Sequence, residues 1–141
     1  MKICFFLQAP GVRLRNRVAI KAWIEHSFSN EKKEAAEVSV VLVTDKFLSR
    51  LNKEYLTRDT LTDIIAFNLN EPGMPIEGEL YISIDRVREN AGIFNVPAEN
   101  ELHRVIIHGM LHLMGYDDST AIQKMKMKAR EDYYLKKLAV K

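Results

Sequence analysis

A single cysteine, Cys4, is all that the 141 residues carry. It can form no internal disulfide, so the fold must rest on its core, and a reducing cytoplasm is the expected compartment. Long apolar runs are missing too. Nothing approaches the roughly 18 residues that a membrane span needs. The apolar start, Ile3 to Leu7, falls short of the ~7 residues of a secretory h-region and is followed by basic residues, so it reads as a first strand. No repeat, low-complexity stretch or linker interrupts the chain, and one domain, 1–141, is expected. A further absence is local. Gly109 directly follows His108, at the position where an H-E-x-x-H zinc protease carries its glutamate base.

What is present is ordinary in amount and uneven in arrangement. Apolar residues make up 47% and charged residues 28%, as in a soluble globular protein. The net charge is +2, yet from Thr57 to Asp118 there are 4 Lys/Arg against 11 Asp/Glu, and in the rest 17 against 8. Basic residues gather at Arg13, Arg15, Arg17 and Lys21, and again at Lys124, Lys126, Lys128 and Arg130. Segregated positive charge attracts a polyanion such as RNA, although solvated helix faces look the same in a sequence. The acidic centre suits a cation.

The pattern of residues predicts an α+β fold of about four strands and four or five helices. Strands are expected at Ile3–Gln8, at Ala36–Thr44 (nearly continuous β-branched residues), at Asp63–Phe67 and at Gly78–Ile84. Leu14, Val18, Trp23, Ile24 and Phe28 outline an amphipathic helix from Arg13, with a loop from Ser27. Asp45 is a good N-cap for a helix carrying Phe47, Leu48, Leu51 and Tyr55, and Asp85 for a short helix to about Ala91. Thr57–Asp63 is polar and irregular, and 70–75 is a loop. Pro97 opens a helix that carries Leu102, Val105, Ile106, His108 and His112. A last helix restarts at Asp118-Ser119-Thr120, with Gln123 placed for a capping box on Thr120.

The chemistry concentrates in His108-Gly-Met-Leu-His112-Leu-Met-Gly115-Tyr-Asp117-Asp118. Histidines four apart share one helix face. Gly115 ends the helix, and a carboxylate arrives ten residues after the first histidine. The spacing is that of the long zincin pattern with aspartate in place of the last histidine. It suits a metal with three protein ligands and an open position, namely His108, His112 and Asp118. Asp118 has a competing use as N-cap of the last helix. Asp117 is the reserve ligand, or an acceptor for an imidazole N–H. His26 reads as structural, and His103 lies off the stripe. Without the glutamate a peptidase loses its base, while metal-assisted hydrolysis stays open.

The run resembles the hallmark H-G-x-L-H-L-x-G-Y-D-H of the YbeY family of bacterial rRNA maturation factors, matching it up to Asp117. Leu51-Asn52-Lys-Glu-Tyr55-Leu56-Thr-Arg58-Asp59-Thr-Leu61-Thr62-Asp63-Ile-Ile-Ala66-Phe67 likewise resembles the family segment L-N-x-x-Y-R-x-K-D-x-P-T-D-V-L-S-F. The resemblance implies helices packed on a small mixed sheet with a zincin-like metal helix, and a cytoplasmic endoribonuclease with one divalent metal, expected to be zinc. It implies cleavage of single-stranded RNA in rRNA maturation and ribosome quality control, with a metal-activated water or ribose 2′-hydroxyl attacking phosphorus. The implied partners are rRNA and the small ribosomal subunit, and a monomer is expected. Carried over by position, His108, His112 and Asp118 hold the metal. Asp59, Thr62 and Asp63 fall near the cleft, and His103 matches a recurring histidine.

The departures are specific. The family arginine that engages substrate falls on Leu56, and Arg58 stands where the family has lysine, so Arg58 is the expected replacement contact to phosphate. Leu61 replaces proline, Ala66 serine and Asp118 the third histidine. Two other functions fit the same residues. One is a non-catalytic ribosome-assembly or RNA-binding factor whose metal staples two helices. The other is a metal-dependent hydrolase of another substrate.

Overall fold

The computed structural model describes residues 1–56 and 62–139. Along the chain run β1 (Lys2–Leu7), α1 (Arg17–Asn30), β2 (Ala35–Val43), α2 (Asp45–Leu56), β3 (Ile64–Asn68), β4 (Ile76–Ser83), α3 (Ile84–Phe94), α4 (Ala98–Leu113) and α5 (Ala121–Ala139). The fold is α+β. The four strands form one mixed sheet in the order β1-β2-β4-β3, with β1, β2 and β4 parallel and β3 antiparallel on β4. Central β2 is buried on both faces over its second half, as its unbroken apolar sequence requires. Val38, Val40 and Leu42 enter the main core with α1, α4 and α5, while Val41 and Val43 meet Leu48 of α2 and Ile65 of β3 in a smaller cluster on the other face.

Helix α4 lies in the main core, and Ile106, Ile107, Met110 and Leu111 are fully buried on it. Gly109 is where it comes closest to the sheet. A Cβ there would stand 2.5 Å from Ile64 Cδ1 and 2.8 Å from both Leu80 methyl carbons. The position that would hold a protease's glutamate is therefore filled by the side chains of β3 and β4.

Several boundaries differ from the sequence expectation, each for a local reason. The first helix starts at Arg17 rather than Arg13, because Asn16 takes a left-handed conformation (φ 57°), which asparagine tolerates. Leu14 is still buried, but from a non-helical segment, and Val18 is 83% exposed while Ile20 takes the core position. The helix continues through residues 27–30, where Ser27 buries its hydroxyl by donating to Ile24 O at 2.6 Å. Helix α3 is capped by Ser83, whose hydroxyl accepts from the Arg86 N–H. Asp85 instead accepts from the Asp45 N–H at 2.8 Å, tying the start of α2 to α3. Helix α3 runs on to Phe94, where Asn95 closes it in a left-handed conformation. No helix among the described residues is long and apolar enough to cross a membrane.

Candidate metal centre

The C-terminal end of α4 is closed by a Schellman motif, which uses the helix's orphan carbonyls. The Tyr116 N–H bonds Leu111 O and the Gly115 N–H bonds His112 O, each at 3.0 Å. Gly115 supplies the positive φ, 109°, that a side chain would resist. The chain reverses there. Asp117 Oδ1 then accepts from the Asp118 N–H at 2.8 Å and from the Ser119 hydroxyl at 3.1 Å. Thr120 and Gln123 form the expected capping box, with reciprocal bonds of 3.1 and 3.0 Å. Thr120 thus starts α5, Asp117 holds the turn, and the Asp118 carboxylate faces the histidines.

Asp118 Oδ2 lies 3.3 Å from His108 Nε2, and its Oδ1 lies 3.4 Å from His112 Nε2. One ligand atom from each of the three residues falls within 4.8 Å of the others. Charge-assisted N–H···O bonds are shorter, about 2.7–2.9 Å. Ligands about 2.0–2.1 Å from a tetrahedral zinc stand about 3.3–3.4 Å apart. The donor set and its convergence therefore fit a divalent metal, and the three side chains remain 24–37% exposed, leaving a way in.

Behind His108 lies a residue that sequence spacing did not reveal. Glu131 of α5 is buried, and its Oε2 stands 2.6 Å from His108 Nδ1. A carboxylate accepts, so Glu131 places a proton on Nδ1, and in the neutral ring the Nε2 lone pair then faces the cluster. The other oxygen, Oε1, accepts from Arg104 Nη1 at 2.9 Å, and Arg104 Nη2 reaches Asp132 at 2.7 Å. One signal could have found Glu131. It shares a helical stripe with the buried Met127 and Tyr134, and a carboxylate on an apolar stripe calls for a partner.

The electrostatics are anionic. Burial works against a charged His108, but the hydrogen bond and charge of Glu131, with Asp118 and Asp63, outweigh it and hold its pKa above the usual imidazole value. Asp63, at the mouth of β3, is pushed up by burial and drawn back only in part by the charge of His108. Its backbone carbonyl accepts from the Ser83 N–H at 2.9 Å. Thr62 donates to Ile64 O and shapes the entry to β3. His103 stays apart from the cluster. It packs edge-on to Trp23, and its buried Nε2 has no hydrogen-bond partner among the described residues. Arg58 and Asp59 lie outside the described residues.

Comparison with known proteins places the chain in a family. The family model described as Endoribonuclease YbeY matches residues 11–139. The Endoribonuclease YbeY of Cytophaga hutchinsonii is 40% identical over 130 residues, covering 92% of this chain and 91% of that one. The Chloroherpeton thalassium protein of the same name is 47% identical over 116 residues, 82% of each chain. Among solved structures, the solution structure of TM1509 from Thermotoga maritima superposes with a TM-score of 0.67 at 28% identity, over 98% of this chain and 89% of the other. The chain belongs to the YbeY family of endoribonucleases.

Proposed function

We propose that this protein is a metal-dependent endoribonuclease that cleaves single-stranded RNA during rRNA maturation and ribosome quality control, in contact with the small ribosomal subunit. His108, His112 and Asp118 hold one divalent metal, zinc by the chemistry of the donors. The observation that carries this reading is the convergence of one ligand atom from each of the three residues to within 4.8 Å in a chain of an endoribonuclease family.

A divalent ion in that position supplies Lewis-acid chemistry to a phosphoryl oxygen. The protein's own groups do the rest. Glu131 fixes the tautomer and tilt of His108, and Arg104 holds Glu131 in place. The carboxylates around the cluster repel a phosphate by themselves, so substrate approach depends on the cation they hold. Arg58 is the nearest cation in sequence to the vacated family arginine and is proposed to contact the substrate phosphate. Asp59, Thr62 and Asp63, of the same family segment, are proposed to act beside it.

A second reading is favoured by Leu56, which cannot pair with a phosphate. The protein would then be a ribosome-assembly factor whose metal only staples α4 to the turn before α5. Bound metal and cleavage of a single-stranded RNA, measured in wild type and His112→Ala, separate the two. The nuclease reading expects about one metal per chain. It also expects a loss of cleavage of at least 10²-fold in the variant, the scale of a removed electrostatic catalyst. Full metal occupancy with wild-type cleavage no higher than that of His112→Ala leaves the staple.

A further inference from the structure

Opposite the metal end of α4, its N-terminal end borders a cleft of about 210 Å3. Leu14, Ile84 and Leu102 form an apolar floor, and Arg13, Arg15 and Arg88 stand around it. All three arginines are exposed, on backbone anchored by buried neighbours. Leu14, between the first two, is buried in the main core, and Val87, next to the third, is fully buried. None of the three has an ion pair or hydrogen bond to an acid among the described residues. Arg86, Arg104 and Arg130 are all engaged, with Asp45, with Glu131 and Asp132, and with Glu31. Glu99 is the one carboxylate lining the cleft, so the charge there is three against one.

Three arginines around one small cleft suit a phosphate, because each guanidinium offers a planar fork of donors matched to phosphate oxygens. The volume is below the ~300 Å3 of small-molecule pockets, which suits a phosphodiester rather than a whole nucleotide with its base. Glu99 and His103 also line a second cavity, of about 1210 Å3, that extends between α4 and α5 to His108. The cleft and the cavity thus share Glu99 and His103, and the cavity reaches His108. From Ala98 to His108 the helix rises about 15 Å, on the order of four nucleotides of stacked strand at 3.4 Å each.

We infer that the Arg13–Arg15–Arg88 cleft is a second phosphate site, gripping the backbone of an RNA strand several nucleotides from the cleaved bond. This rests on the nuclease reading for its ligand, but binding can be tested without catalysis. In the metal-loaded protein, the affinity of a labelled 12-nucleotide single-stranded RNA and of a trinucleotide, both 2′-O-methylated and checked to be intact afterwards, is measured by fluorescence anisotropy, with and without Arg13→Gln, Arg15→Gln and Arg88→Gln together. The 12-mer is expected to bind at least tenfold more weakly in the triple variant at about 50 mM salt. Its log–log salt slope should fall by about 2, three contacts at ~0.7 each. The trinucleotide should be unaffected.

Unchanged affinity and slope for the 12-mer would overturn the site, and an equal loss for the trinucleotide would replace it with a diffuse field. If inorganic phosphate protects the wild-type arginines while RNA binding ignores their loss, the ligand is free phosphate and the inference fails. Arg88→Gln alone, expected to weaken the 12-mer about threefold, serves if the triple variant does not fold. Cleavage by the wild-type protein is scored separately. Arginine-dependent binding without cleavage would spare this site and sink the nuclease reading, and cleavage without arginine dependence would do the reverse.

Discussion

Two glutamates, the buried Glu131 on α5 and the half-buried Glu31 at the end of α1, do similar work and reach different ends. Glu131 joins Arg104 to His108. Glu31 accepts from Arg130 at 2.7–2.8 Å, from Tyr116 at 2.7 Å and from Tyr134. Each is a carboxylate–arginine pair that also grips a ring. The ring held by Glu131 has a second nitrogen directed at Asp118, so this pair sets the basicity of a candidate metal ligand. The rings held by Glu31 are phenols with no second function. That pair fastens α1 to α5 and to Tyr116, the residue after Gly115. The same device thus tunes a site in one place and locks the frame in the other.

Glu131→Gln should break the comparison most sharply. The carboxamide can still meet His108, but only by turning its NH2 group toward Arg104, donor against donor. Metal affinity, titrated against a chromophoric chelator, is expected to fall 10–100-fold, as for other partners of ligating histidines. Unchanged affinity would make Glu131 a structural residue like its counterpart. Glu31→Gln should do the complementary thing. It weakens three hydrogen bonds to a charged acceptor, so unfolding by denaturant should show a loss of about 1–3 kcal/mol, with metal affinity altered about threefold or less. A fall in metal affinity matching that of Glu131→Gln would show that the Glu31–Tyr116 bond, through the Gly115 turn, governs where Asp118 sits.

The contrast also marks what the sequence could reveal. The histidine stripe, Gly115 and the Thr120–Gln123 box are local patterns, fixed by helix geometry within one or two turns, and all three were legible. The capping box also removed the rival use of Asp118, since Thr120 starts α5. The hydrophobic order of β2 was legible for the same reason. Glu131 and Glu31 were not, because their partners lie 23 and 85–103 residues away, and no spacing rule reaches across a fold. Asn16 and Ser83 were missed on a smaller scale. A left-handed residue overrode the apolar periodicity before α1, and a serine hydroxyl outcompeted the neighbouring Asp85 as a cap. Gly109 was legible as an absence, but its cause, the Ile64 and Leu80 side chains against the helix, was visible only in the packing.

The smallest expected effect is a dependence of stability on pH belonging to the Glu31 pair. Burial raises the Glu31 pKa, but the hydrogen bonds from Tyr134, Tyr116 and Arg130 outweigh it and leave it below the usual 4.5. A carboxyl depressed on folding adds stability that is full above its unfolded pKa and is lost as pH falls through the folded one. Wild type should therefore exceed Glu31→Gln in Tm near neutrality, and the gap should close below about pH 4.5. Tyr134 works in the opposite direction. Burial, with the hydrogen bond and charge of Glu31, raises it from 10.0 to about 12. An acid raised on folding adds stability that is full below its unfolded pKa and is lost as pH climbs through the folded one. Wild-type Tm should hold to pH 10 and fall towards 12, and Tyr134→Phe, with no phenol to ionise, should flatten that alkaline limb while lowering Tm at pH 7. A Glu31→Gln protein whose deficit persists unchanged at pH 3 would mean that the carboxylate charge contributes nothing. The pair would then hold the frame by shape and packing rather than by electrostatics.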